Sequence, residues 1–147
     1  MVLAKRKIPS AKLRSAAFRR VRADHTSELA ADYVELIADL IDEKGEARGS
    51  DIALRLGVAN ATVVKTLKRL QDIGLVTQEP YRAIFLTGEG MALADDSRRK
   101  HKIVEAMLLA LGVPPETARI DAEGMEHHVS PDTLRAMVRF LARGRST

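Results

Sequence analysis

Between Tyr33 and Ile41 apolar side chains return every three or four residues. Tyr33, Leu36, Ile37, Leu40 and Ile41 form one stripe, and Asp32, Glu35 and Asp39 fall on the other side. The pattern predicts a helix capped by Asp24 or Thr26 that runs to Lys44 and stops at Gly45. A short helix follows in SDIALRLG, from Ser50 to Gly57, and a third in NATVVKTLKRLQD, from Asn60 to Asp72. On a wheel of about 100° per residue, Val63, Leu67 and Leu70 gather on one side of this third helix. Ala61, Thr62, Lys65, Thr66, Lys68 and Arg69 take the other side. A short helix, a tight turn and a basic helix predict a helix-turn-helix. Next, LVTQEPYRAIFLTGEG alternates and breaks at Pro80 to Arg82, which predicts a two-stranded hairpin and completes a winged helix. From Gly88 a long helix reaches Leu111 and ends at Gly112. Pro114 and Pro115 open another, and Ser130 with Pro131 opens the last. The hairpin is the seam between a winged-helix domain over 24–88 and an all-helical domain over 89–147.

Charge and composition narrow what such a chain does. Its 147 residues include no Cys and no Trp, and aromatics make up 3%. Thiolate metal sites are therefore excluded, and an aromatic-lined pocket for a small organic ligand is not expected. No apolar run is long enough to span a bilayer and no secretory signal stands at the start, so a cytoplasmic protein without a membrane partner is expected. The net charge of +4 is uneven. Lys5, Arg6, Lys7, Lys12, Arg14, Arg19, Arg20 and Arg22 precede the first acid. The expectation for 1–23 is a basic, disordered tail; an arm on nucleic-acid phosphates and a transit peptide are the alternatives.

Candidate chemistry collects in DAEGMEHHVS, residues 121–130. On a helix Glu123, Glu126 and His127 stand at i, i+3 and i+4, converging on one face as metal ligands or simply facing water. Partners for a metal exist upstream in Asp32 and Glu35, one turn apart, and in His101, with Glu105 one turn on. His-Glu-x-x-His, Glu-x-x-His, Gly-x-Ser-x-Gly and phosphate-binding glycine loops are all absent, so an enzyme is not expected. For DNA, the outward face of the third helix offers Asn60, Ala61, Thr62, Lys65, Thr66, Lys68 and Arg69, and the hairpin tip offers Arg82.

Six blocks in order, ADYVELI (31–37), EARGSDIALRLGV (46–58), TVVKTLKRL (62–70), RAIFLTGEG (82–90), RRKHKIVE (98–105) and DAEGMEHHVS (121–130), carry a family resemblance. The chain resembles the manganese transport regulators, the MntR branch of the iron-dependent repressor (DtxR) family. The resemblance implies a mainly α homodimer: an N-terminal winged helix-turn-helix domain, then a helical metal-binding and dimerisation domain. It implies a Mn²⁺-responsive repressor of manganese uptake genes that binds operator DNA. A binuclear site for two Mn²⁺ per subunit would fall on Asp32, Glu35, His101, Glu123, Glu126 and His127. Alternatives are an Fe²⁺-responsive repressor of the same family, a site holding another divalent transition ion, and a winged-helix regulator with no metal dependence. The iron-responsive branch has Met at the position of Asp32, a sulfur ligand in the later motif and a third domain; this chain departs from the first two, and a third domain is not expected. Ala59, Asn60 and Ala61 stand where a close manganese-branch relative has Ser, Gln and Pro, which bears on the operator sequence and on the cap of the third helix.

Overall fold

Ser10 accepts a hydrogen bond from the Leu13 N–H at 3.3 Å and starts a helix that does not break until Gly45, where φ reaches 80°. This helix, α1 (Ala11–Lys44), corrects the expected start at Asp24 or Thr26. The reason is local: Ala, Lys, Leu and Arg dominate 11–22, and all of them favour helix over coil. From Ala11 onward, the stretch expected as a disordered tail is therefore helix. The computed structural model describes residues 7–79 and 82–144, leaving aside the side chains of 22–26, so the start of the basic segment and the hairpin-tip residues Pro80 and Tyr81 lie outside it.

After α1 come α2 (Gly49–Leu56) and α3 (Asn60–Asp72), then strands β1 (Val76–Gln78) and β2 (Ile84–Leu86). The strands pair antiparallel with Val76 opposite Leu86 and Gln78 opposite Ile84, and Ile84 also donates its N–H to the Ala47 carbonyl at 2.9 Å. Helices α4 (Gly88–Ala110) and α5 (Pro115–Met125), a 3₁₀ turn over Glu126–His128 and α6 (Pro131–Gly144) complete the chain. No helix among the described residues is long and apolar enough to cross a membrane.

Two faces of α1 divide the packing. Tyr33, Ile37 and Leu40 enter a core with Ile52, Val63, Leu67, Leu70, Val76 and Ile84, which seats the helix-turn-helix and the hairpin on α1. Val34 and Ala38, on a neighbouring face, close against Ala94 of α4. A separate core of Val104, Ala122 and Leu134 joins α4, α5 and α6. Helix α1 thus joins the DNA-binding half to the C-terminal half, with Leu75 and Leu86 packing beside it against α4, and whatever fixes α1 against α4 fixes the helix-turn-helix too.

Ala59 occupies the N-cap position of α3 with extended backbone (φ −68°, ψ 149°) and offers no side-chain acceptor to the first turn. Serine in that backbone would cap the orphan N–H groups. Ala59→Ser is expected to raise stability by about 1 kcal/mol, measured by urea unfolding; an unchanged or lower midpoint would refute the cap argument.

Candidate metal centre and nucleic-acid interface

Helix α5 ends at Met125 because the chain tightens into a 3₁₀ turn, so Glu123, Glu126 and His127 do not share the continuous α-helical face expected from their spacing. The tightening separates their directions. Glu126 points inward, with a side chain only 3% exposed, and its Oε2 lies 3.0 Å from His101 Nδ1. His127, 7% exposed, turns to α1, where its Nε2 stands 3.1 Å from Asp32 Oδ1 and 3.4 Å from Glu126 Oε1. Glu123 stays exposed and lines a surface cleft of about 410 Å³ together with Glu28, Asp32, Glu35 and Asp39. Glu35 accepts a 2.7 Å hydrogen bond from the buried Ser97 hydroxyl of α4. Asp39, on the same side, is drawn to Arg98 of α4, which also reaches Asp42 at 3.5 Å.

All six expected ligand positions therefore gather where α1, α4 and the 3₁₀ turn meet. Asp32 and Glu35 come from the DNA-binding half, and the other four from the C-terminal half. His101 is held from its far side by Glu105, whose Oε2 lies 2.9 Å from Nε2, an arrangement that orients the ring. Spacing alone did not single out Glu28. Its carboxylate joins Asp32 and His127 in a set whose donor atoms lie within 4.8 Å of one another, and its Oε2 also lies 3.6 Å from His128 Nε2. The i, i+4, i+7 series of Glu28, Asp32 and Glu35 is the signal that points to it.

Burial makes the charge of Glu126 harder to hold. Removal from water, opposed by His101 and His127 and reinforced by Glu35 and Glu123, pushes its carboxyl up to about 7. Its Oε2 has no hydrogen bond although it is buried. His127 is raised from its ordinary value, chiefly by its hydrogen bond to Asp32. Both shifts favour the protonated folded state. Their stabilising contribution is thus full below the unfolded values and is lost as pH rises through the folded ones. Between about pH 4.5 and about pH 7, the metal-free protein is expected to lose stability relative to Glu126→Gln, which removes one of the two titrations. Thermal melts across that window test this, and parallel curves for the two proteins would refute it.

On the opposite side of the DNA-binding half, α3 buries Val63, Leu67 and Leu70 and leaves Asn60, Ala61, Thr62, Lys65, Lys68 and Arg69 exposed, with Thr66 half-buried. Arg82 is exposed at the hairpin and pairs with Glu79 at 2.8 Å, and its N–H donates to the Glu79 carbonyl at 3.1 Å to close the turn. Val64 is 68% exposed on α3, and only solvent exposure distinguishes it from the buried valine beside it.

Comparison with known proteins agrees with this two-part layout. Residues 25–84 match the family model described as iron dependent repressor, N-terminal DNA binding domain, and residues 87–146 match iron dependent repressor, metal binding and dimerisation domain. The chain is 60% identical over 126 residues to the transcriptional regulator MntR of Escherichia coli O6:H1, covering 86% of this chain and 81% of that protein. It is 38% identical over 103 residues to the HTH-type transcriptional regulator MntR of Bacillus subtilis, covering 70% of this chain and 72% of the relative. Among solved structures, a manganese-dependent transcriptional repressor in complex with manganese superposes with a TM-score of 0.69 at 27% identity, covering 77% of this chain. The chain spans about half of that protein's length, 52%. A winged helix-turn-helix and a helical partner domain, joined through α1 and α4 and matched in order by both family models, place this chain in the iron-dependent repressor family.

Proposed function

We propose that this protein is a Mn²⁺-responsive repressor that binds operator DNA as a homodimer and shuts down manganese uptake genes. The observation that carries the reading is the meeting of ligand-type side chains from both halves around the buried Glu126, whose Oε2 has no hydrogen bond. Asp32, Glu35, His101, Glu123, Glu126 and His127 are the residues that would hold metal, two ions per protomer. Their oxygen and imidazole donors, with no sulfur, suit a hard divalent ion such as Mn²⁺. The ions would supply positive charge that compensates the four carboxylates and a link between the two halves.

The rest of the mechanism belongs to the chain. Without compensation, Asp32, Glu35, Glu123 and Glu126 repel one another across the gap between α1 and the C-terminal half. His127 then bridges Asp32 and Glu126 as a partial substitute, because its raised basicity lets it carry a proton there. Compensation removes the repulsion and fixes α1 against α4. Since Tyr33, Ile37 and Leu40 seat the helix-turn-helix on α1, the separation of the two recognition helices in the dimer is fixed with it. That separation must match half-sites about one duplex turn apart. Asn60, Ala61, Thr62, Lys65, Thr66, Lys68 and Arg69 then face the major groove, and Arg82 exchanges Glu79 for the DNA backbone.

The supporting experiment selects a duplex from a random-sequence pool with Mn²⁺-loaded protein. Its affinity is then compared with and without chelator at matched salt. A metal-induced gain of about 5-fold to 150-fold is expected for coupling between sites of this kind. Equal affinities would sink the reading and leave a winged-helix regulator with no metal dependence. Fe²⁺ responsiveness is the second reading, favoured by the family's description as iron dependent. The same assay run anaerobically with Fe²⁺ separates the two.

A further inference from the structure

Helix α1 extends beyond the domain it serves. The family's DNA-binding model begins at residue 25, whereas α1 begins at Ala11. Residues 11–21 are all exposed, and they include Lys12, Arg14, Arg19 and Arg20 without a single carboxylate. This arm forms one continuous helix with the segment that carries the helix-turn-helix.

The phase of that helix gives the arm a direction. Five turns of an α-helix take about 18 residues, so Lys12, Arg19 and Arg20 stand on the same faces as Ala30, Ile37 and Ala38. Ala30 and Ile37 pack into the core that holds α2 and α3. Lys12 and Arg19 are therefore in register with the side of α1 that bears the recognition helix, whereas Arg20, in phase with Ala38, turns toward the face that closes on α4. By the same count Arg14 is in phase with Asp32 and turns toward the side of the metal centre.

We infer that the arm is a second, sequence-independent DNA contact, in which Lys12 and Arg19 bind phosphates of the duplex flanking the half-site read by α3. The inference rests on the reading of the chain as a DNA-binding regulator. Duplex DNA is the occupant that charge complementarity selects, because it presents a dense row of phosphates to an acid-free cationic helix face. An anionic membrane fits less well. Leu13, Phe18 and Val21 are exposed, but Arg14 falls between them on the wheel and interrupts the apolar face that insertion requires.

The test replaces Lys12 and Arg19 together by Gln, which keeps helix propensity, in the full-length Mn²⁺-loaded protein. Affinity for mixed-sequence duplex DNA and for the selected operator fragment is measured across a salt series. Each lost phosphate contact lowers the slope of log affinity against log salt by about 0.9, so a fall of about 1.8 per protomer is expected on both duplexes. The ratio of the two affinities should stay unchanged. Arg14→Gln should leave the slope where it was, and circular dichroism should show both variants as helical as the parent. An unaltered slope in the double variant overturns the inference. So does loss of binding to phosphatidylserine-containing vesicles with the DNA slope intact, which would make the arm a lipid contact. Should the parent bind no duplex at all with Mn²⁺ present, the proposed function fails first, and that outcome is distinct from a parent that binds with a slope the arm does not affect.

Discussion

Glu126→Gln is expected to give a folded protein whose affinity for operator DNA no longer rises when Mn²⁺ is added, a loss of the whole metal-induced gain of about 5-fold to 150-fold. Glutamine keeps the shape of the side chain and removes its charge. In the metal-free protein that loss is small, since burial already disfavours the charge by pushing the Glu126 carboxyl up to about 7 and leaves its Oε2 without a hydrogen bond. In the metal-bound protein it removes the one carboxylate that lies between His101 and His127. Calorimetric titration with Mn²⁺ and operator binding should fail together, while the melting temperature without metal holds or rises. A variant that melts earlier than the parent without metal would instead assign Glu126 a structural role. Glu105→Gln is a graded companion. It touches His101 from behind and is expected to weaken Mn²⁺ binding by about 10-fold to 100-fold without abolishing the response.

Gly90→Ala is expected to be the most damaging small substitution for the fold. A Cβ at this position would lie 2.0 Å from the Leu75 carbonyl oxygen, 3.0 Å from its carbon and 3.3 Å from Leu86 Cδ2. The obstacle is mostly backbone, and it cannot swing aside as a side-chain tip would. The same Leu75 carbonyl accepts the Thr87 N–H at 3.1 Å, and the Thr87 hydroxyl donates to the Gly74 carbonyl at 2.6 Å. The start of α4 is therefore held against the strand by bonds that the added methyl would have to break. Overpacking alone costs about 1–3 kcal/mol, and the lost bonds add to it, so a drop of at least about 3 kcal/mol is expected in urea unfolding. Gly124→Ala is the contrasting case. It lies inside α5 with nothing within 4 Å of an added Cβ, and a helical Ala in place of Gly should stabilise by roughly 0.5–1 kcal/mol. If both substitutions cost the same, close approach at Leu75 is not what glycine serves at position 90.

These two glycines mark a boundary between what was readable along the chain and what was not. Gly45 could be read as a helix stop because a left-handed residue after an apolar stripe is a local signal. The span of α3 was readable from its stripe of Val63, Leu67 and Leu70. Gly90 gave no such signal, since its reason is a carbonyl fifteen residues earlier in the chain, brought close only when Leu75, just before β1, meets the first turn of α4. The start of α1 was misplaced for a related reason. Asp24 and Thr26 are good caps in isolation, but a cap forms only where the flanking residues leave the helix, and 11–22 favour staying in it.

The sequence by itself determined the two-domain order, the helix-turn-helix with its hairpin, and, through the resemblance of six blocks, the six positions on which the proposed metal site rests. Periodicity and turn chemistry are local, and so they survive in a linear reading. Only the tertiary structure decided that the 3₁₀ turn sends Glu126 inward and His127 toward Asp32, and that Glu28 joins them. It alone decided that Ser97 of α4 holds Glu35. These are contacts between side chains tens of residues apart. Their geometry depends on how Val34 and Ala38 of α1 close on Ala94 of α4, a packing arrangement that no spacing along the chain encodes.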